Sequence, residues 1–325
     1  MWRAVCTLRD NPGGSASIMG LPFEKYLAAV VQAAPVFLNR QGTVEKACRL
    51  IREAGRNGAN LVVFPEAWIP SFPHWPRALP KGERDLSQDA WVALYQESME
   101  IPGQETKILG DAAKQAGCHV AIGVNERSRE AGATLYNTLL LLGNNGGVLG
   151  KRRKLLPTYE ERCCWGSGDR DDLCVWQTSL GTLGGLICGE HHHPLLRHAL
   201  ALMGEQVHIA VWPKGAHLDT TADLLSRSHA LESQVYVIEA CGLLSPDQVP
   251  DNFPLKQRTL WNVNGGSAII GPDGAYVAGP VYDEETILYA EIDPAAIIKE
   301  KWKIDTVGHY SRTDVVRLVM AGEKP

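Results

Sequence analysis

Asn60-Leu61-Val62-Val63-Phe64-Pro65-Glu66 is a short apolar run closed by a proline and a carboxylate. Its length and its breaker read as a strand buried on both faces, not as a helix. Just before it, Thr43 has the chemistry of an N-cap, and Val44, Ala47, Cys48, Ile51 and Ala54 recur at helical spacing up to Gly55. The same helix-then-strand order returns downstream. Ile108, Leu109, Ala112, Ala113 and Ala116 mark a helix over 106–116, and 119–124 is another short apolar strand. Segments 135–142 and 148–156 flank Gly143-Asn144-Asn145-Gly146-Gly147, a hairpin signal, and 174–178 and 183–188 flank a turn at Leu180-Gly181.

Beyond these, 194–203 and 219–234 read as helices around a strand at 208–212, with more strands at 235–240, 267–270 and 287–291. A turn is expected at Pro272-Asp273-Gly274. Helices and buried strands alternate with no repeat and no separating linker, which points to one large α/β unit with helix-covered sheets. Residues 1–24, with a Gly/Ser-rich patch at 11–17, are expected to be a loosely ordered extension.

Composition narrows the function classes. With 32 Lys+Arg against 37 Asp+Glu, the net charge is 32 − 37 = −5, and 45% of the residues are hydrophobic, as in an ordinary globular protein. No long basic run is present to track nucleic-acid phosphates or an anionic bilayer, so small-molecule work is the better expectation. Eight cysteines without a Cys-x-x-Cys pair suit neither a disulfide framework nor a zinc ribbon and point to a reducing compartment. No stretch of about 18 apolar residues and no signal peptide are visible, so a cytoplasmic location is expected, with no membrane partner.

The phosphate loop, the His-Glu-x-x-His zinc helix, the Gly-x-Ser-x-Gly elbow and the dinucleotide Gly-x-Gly-x-x-Gly are all absent. His191-His192-His193 catches the eye, but adjacent side chains diverge in a strand or turn, so no metal is expected there. What remains are polar residues placed just after apolar runs: Glu66, Lys154 with Glu161 one loop on, and Cys188. Each has an ordinary alternative: a strand-end Glu is often a surface ion pair, a Cys a small core hydrophobe, a Lys in a basic run a solvated charge.

Together they carry more. Phe64-Pro65-Glu66-Ala67-Trp68-Ile69-Pro70, then Arg153-Lys154-Leu155-Leu156-Pro157-Thr158-Tyr159-Glu160-Glu161-Arg162, then Gly184-Gly185-Leu186-Ile187-Cys188-Gly189-Glu190-His191 resemble, in order and spacing, the three signatures of the nitrilase branch of the carbon–nitrogen hydrolase superfamily. Supporting similarity runs from about Tyr26 to Val316, including Leu135-Tyr136-Asn137-Thr138 and His229-Ala230-Leu231-Glu232. The resemblance implies a four-layer α-β-β-α sandwich formed by a single domain over 25–316, followed by a short tail at 317–325. It implies Cys188 as nucleophile, Glu66 as general base, Lys154 as the cation beside the developing negative charge, and Glu161 as the carboxylate that orients Lys154 and water. It also implies a small-molecule nitrile substrate, no cofactor and no metal, and pairing of subunits into a homodimer or higher homo-oligomer.

The chain departs from that pattern beside the nucleophile. Gly189 stands where the family usually has Trp, which is expected to enlarge the pocket by losing an indole of some 200 Å². Phe72 stands where a Tyr is common. Among Trp68, Trp75, Trp165 and Trp212, which cluster near the motif segments, Trp165 is expected at the substrate. An amidase or cyanide-degrading relative with the same pocket, or a binding-only protein that has lost turnover, are the alternatives to a nitrilase that makes acid and ammonia.

Overall fold

The computed structural model describes residues 24–78, 84–130, 132–259 and 261–321. The expected extension at 1–24 lies, apart from Glu24, outside the described residues, as do residues 322–325 of the tail. In chain order the elements are β1 (Tyr26–Gln32), α1 (Arg40–Arg56), β2 (Ala59–Val63), α2 (Arg84–Glu97), α3 (Gln104–Ala116), β3 (His119–Arg127), β4 (Leu135–Leu142) and β5 (Val148–Arg153). They continue with β6 (Trp176–Thr178), β7 (Gly181–Ile187), α4 (Pro194–Leu202), β8 (Val207–Trp212), α5 (Asp219–Ser233), β9 (Tyr236–Cys241) and β10 (Leu243–Leu244). β11 (Val263–Ile270), β12 (Tyr276–Tyr282), β13 (Thr286–Ile292) and α6 (Pro294–Lys303) complete the series.

The strands form two mixed sheets. One has the order β13-β1-β2-β3-β4-β5; the other runs β10-β11-β9-β8-β7-β6, with β12 also paired to β11. β1, β2 and β3 are parallel neighbours, as are β7, β8 and β9, while the hairpins β3-β4-β5 and β6-β7 and the chain-spanning pair β1-β13 add antiparallel strands toward the edges. Period-2 alternation sorts the central strands. Ala28, Val30, Leu61, Val63, Leu139 and Leu141 face the second sheet and meet Leu183, Ile187, Ile209, Val211 and Ile238. Ala29, Val31, Val62, Phe64, Leu140 and Leu142 face the other way, onto Val44, Ala47, Cys48, Ile51 and Ala54 of α1 and Leu109, Ala112 and Ala113 of α3. Both faces are buried, which is why these strands read as continuous apolar runs. The helix, sheet, sheet, helix layering expected from the resemblance is therefore what the chain forms.

Three local readings are corrected. α1 begins at Arg40, capped by Asn39, whose side chain accepts from Gly42 N; Thr43 lies one turn inside, its hydroxyl donating back to Asn39 O at 2.7 Å. α2 and α6 were not anticipated, although Asp293-Pro294 carries the cap for α6, the Asp293 side chain accepting from Ala295 N. β12 was also missed, because its residues are largely solvent-facing on both sides and show no alternation. Among the described residues no helix is long and apolar enough to cross a membrane.

Ile51 is fully buried between α1 and the first sheet. Ile51→Ala is expected to lower stability by about 2–5 kcal/mol, measured by urea unfolding, because the strands beneath cannot collapse into the space.

Candidate active site

Three strand ends deliver the candidate residues to one place. After β2 the chain turns at Pro65-Glu66-Ala67 and lies against β3, Gly123 N donating to Pro65 O and Ile69 N to Gly123 O. Gly123 makes this approach possible: a Cβ there would stand 2.3 Å from Pro65 O and 2.7 Å from Glu66 Cα. Lys154 follows β5 and is tied to β4 by its own N–H, which donates to Asn137 O at 2.8 Å. Glu161 sits in a 3-10 turn (Tyr159–Cys163) and accepts from Thr158 N. Cys188 opens the 3-10 turn that follows β7, with φ at 49°, a left-handed conformation that costs a side-chain-bearing residue about 1–2 kcal/mol.

Their side chains meet in the interior, Glu66 and Lys154 out of reach of water and Cys188 and Glu161 at the edge of a cavity. The Lys154 ammonium donates to Glu66 Oε1 at 3.0 Å and to Glu161 Oε2 at 2.7 Å, and Asn137 Nδ2 donates to Glu66 Oε1 at 2.6 Å. Glu66 Oε2 is buried and has no hydrogen-bond partner among the described residues. The Cys188 Sγ lies within 4.8 Å of a carboxylate oxygen of both Glu66 and Glu161. Burial pushes the Glu66 carboxyl up to about 7, with Lys154 opposing and Glu161 adding to the rise. Burial also works against the Lys154 charge, but Glu66, Cys188 and Glu161 outweigh it and hold that group above the usual lysine value. The Cys188 thiol is pushed well up, first by burial and then by Glu66. At neutral pH the site therefore holds a protonated thiol beside a carboxyl poised to change its charge.

A second buried pair holds two of the strand ends together. Arg152 donates to Glu190 through both terminal nitrogens, at 2.6 and 2.7 Å. Glu190 also accepts from Leu155 N and from Ile187 N, each at 2.7 Å. One carboxylate thus binds the backbone on the far side of Lys154 and the residue just before Cys188.

The sequence profile of the carbon-nitrogen hydrolase family matches residues 27–301. The chain belongs to the carbon–nitrogen hydrolase family. It is 41% identical to "Nitrilase 2" of an unknown prokaryotic organism over 305 residues, 93% of this chain and 95% of the relative. An aliphatic nitrilase of Sinorhizobium fredii is 39% identical over 309 residues, 92% of this chain and 96% of the relative. A nitrilase of Pseudomonas syringae is 38% identical over 314 residues, 91% and 90% of the two chains. Among solved structures, Saccharomyces cerevisiae Nit3, of branch 10 of the nitrilase superfamily, superimposes with a TM-score of 0.69 at 21% identity, covering 88% of this chain and 97% of that one.

In this carbon–nitrogen hydrolase, a cavity of about 320 Å³ opens onto Cys188. Phe72 and Gly189, both singled out from the sequence, line it, as do Thr158, Trp212 and Lys214. Trp165 does not. It stands behind Phe72, ring centroids 5.4 Å apart, and its Nε1 donates to Asn125 Oδ1. The indole on the cavity is Trp212, at the end of β8, a placement that adjacency in sequence does not reveal. Gly189 is not simply empty space, because its Cβ would stand 2.4 Å from Thr158 Oγ1. The bond of Asn137 to Glu66 follows from the β4 register, which only pairing with β3 reveals.

Replacing Arg152 by Leu leaves Glu190 charged, buried and without its cation. We expect a loss of about 3–5 kcal/mol in thermal or urea unfolding, larger than that of the double replacement Arg152→Leu with Glu190→Leu.

Proposed function

We propose that the protein is a thiol-dependent nitrilase that converts organic nitriles to carboxylic acids and ammonia. The observation that carries this reading is the buried Glu66 carboxyl, one oxygen of which has no partner among the described residues, with a carboxylate oxygen within 4.8 Å of the Cys188 Sγ and the Lys154 ammonium bound to it. The relatives named nitrilase and aliphatic nitrilase support the choice of nitriles.

In this reading Glu66 takes the Cys188 proton as Sγ attacks the nitrile carbon, and returns it to the nitrogen, giving a thioimidate. Lys154 stabilises the charge that grows on nitrogen, and Glu161 keeps Lys154 and water oriented. A water, deprotonated by Glu66, adds to the thioimidate carbon. The protonated nitrogen leaves as ammonia, and the thioester that remains is cleaved by a second water, which restores the thiol. Two waters are consumed per nitrile. If the carbon–sulfur bond breaks before the carbon–nitrogen bond, the amide leaves instead.

We also propose that residues 25–316 act as one unit, supported by a core that runs between both sheets, and that the enzyme is cytoplasmic, which suits its free cysteines. A second copy is proposed to cover the outer helices, where Leu195 on α4 and Leu224 and Leu231 on α5 stand 54%, 59% and 56% exposed. Light scattering should give twice the chain mass, and the double variant Leu224→Lys, Leu231→Lys should give one.

Acid, amide and ammonia yields from phenylacetonitrile, its amide, benzonitrile, a dinitrile and cyanide test the activity. Cys188→Ala should abolish all products, and Glu66→Gln should lower kcat by about 10²–10⁴. Dominant amide hydrolysis without nitrile turnover would replace the reading with an amidase. The base must be ionised to act, so kcat/KM should fall as pH drops, with its acid limb near 7 instead of the ordinary carboxylate value of 4.5. A limb near the ordinary value would remove Glu66 from the role.

A further inference from the structure

Behind the nucleophile, five buried polar side chains that the proposed reaction does not use form a continuous chain. His191 Nδ1 meets Cys188 O at 2.8 Å, and His191 Nε2 meets His208 Nε2 at 3.0 Å. His208 Nδ1 reaches Glu205 Oε1 at 2.7 Å, His229 Nε2 reaches Glu205 Oε2 at 2.8 Å, and Ser233 Oγ reaches His229 Nδ1 at 3.3 Å. The three rings are fully buried and Glu205 nearly so. Room for Glu205 is built into β7, where a Cβ on Gly184 would stand 1.9 Å from its Oε1. His191 stacks on Trp212, ring centroids 4.8 Å apart, and Trp212 lines the cavity.

Counting protons along this chain gives a definite result. A carbonyl only accepts, so His191 Nδ1 carries a hydrogen. An ionised Glu205 only accepts, so His208 Nδ1 and His229 Nε2 carry hydrogens too. The two Nε2 atoms that face each other then need one further proton between them, or two lone pairs oppose each other in the interior. If Glu205 is instead protonated and donates to His208 Nδ1, the total is the same. The chain is complete only with one proton more than a carboxylate and three neutral imidazoles supply, and that proton can sit on Glu205, His208 or His191.

We propose that His191 is a positioning residue for the nucleophile: its Nδ1–H fixes the Cys188 carbonyl in the left-handed turn, while His208, Glu205 and His229 fix the His191 ring and share this one proton. The proposal rests on the reading of Cys188 as nucleophile. Burial outweighs the pull of Glu205 and lowers His208 to about 4 and His191 well below the ordinary imidazole value, and the histidines, against burial, help lower Glu205 to about 2; what argues for the shared proton is the geometry, because the facing Nε2 atoms cannot be satisfied without it unless another contact of the chain is given up. Arg152 from β5 and Arg197 from α4 also face the chain and oppose the extra proton; each is paired with a carboxylate, Glu190 and Glu232 respectively. Removing the proton makes His191 choose between His208 and Cys188 O, so deprotonation loosens the nucleophile turn.

The test compares steady-state turnover of phenylacetonitrile by His191→Phe, His191→Asn, Glu205→Leu and Glu205→Gln, each checked for fold by circular dichroism. His191→Phe keeps a ring against Trp212 but cannot hold the carbonyl; kcat should fall on the order of 100-fold with KM changed less than about two-fold. His191→Asn, whose amide N–H replaces Nδ1–H, should recover at least about ten-fold of that loss. A Gln at 205 accepts from His229 and donates to His208, which satisfies every contact with neutral rings. Glu205→Gln should therefore exceed Glu205→Leu in kcat and lack the ionisation of the chain in its kcat–pH profile. Wild-type turnover by His191→Phe, or a folded His191→Asn no better than His191→Phe, would overturn the proposal. Proton NMR of the wild-type protein gives an independent reading: a far-downfield, exchange-protected imidazole signal is expected at neutral pH, and its absence would remove the shared proton. Cys188→Ala separates the two ideas. If it still turns nitrile over, the nucleophile reading fails; if it is inactive while His191→Phe is not, only the positioning role fails.

Discussion

One ammonium group that water does not reach organises this protein. Lys154 lies between Glu66 and Glu161, and all three are buried. One ammonium is shared there between two buried carboxylates. Glu161 has the shorter contact and a backbone N–H besides. Glu66 is left as the marginal group, one oxygen held by Lys154 and Asn137 and the other without a partner, and its carboxyl titrates near 7. The basicity that the proposed reaction needs thus comes first from burial, which the shared cation offsets only in part and to which Glu161 adds.

That arrangement holds only if three separate strand ends stay in register. β2, β5 and β7 belong to two sheets, and the inward alternation of Val30, Val63, Leu139, Ile187 and Ile209 sets how the sheets meet. Glu190 then ties the β5 end to the β7 end through Arg152 and two backbone N–H groups. The close backbone approach at Gly123 fixes the β2 end on its own sheet. The Glu190 tie is buried beyond solvent competition, where a hydrogen bond to a charge is strongest.

Much of this was legible in the sequence because the strands are apolar on both faces and the chemistry-bearing residues follow them directly. Glu66, Lys154 and Cys188 stand out as polar residues at the ends of such runs, and the structure brings them together. Boundaries were harder where two residues had equal claims: Asn39 and Thr43 are both good caps, and only the fold of 33–39 decides between them. β12 offers no alternation to read, since neither face is buried. Trp165 and Trp212 are indistinguishable by type, and the layer behind Phe72 separates them. The His191 chain was hidden because His191 and His208 lie 17 positions apart and meet across β7 and β8, while the neighbouring His193 is exposed and His192 lines the cavity on Cys188.

The left-handed backbone at Cys188 has an evolutionary consequence. Glycine adopts that conformation freely, so the residue that would relax the turn most is also one that carries no sulfur. Under the proposed reading, a glycine at 188 would relax the turn but remove both the thiol and its buried packing, so the strained backbone is kept only where the thiol is needed.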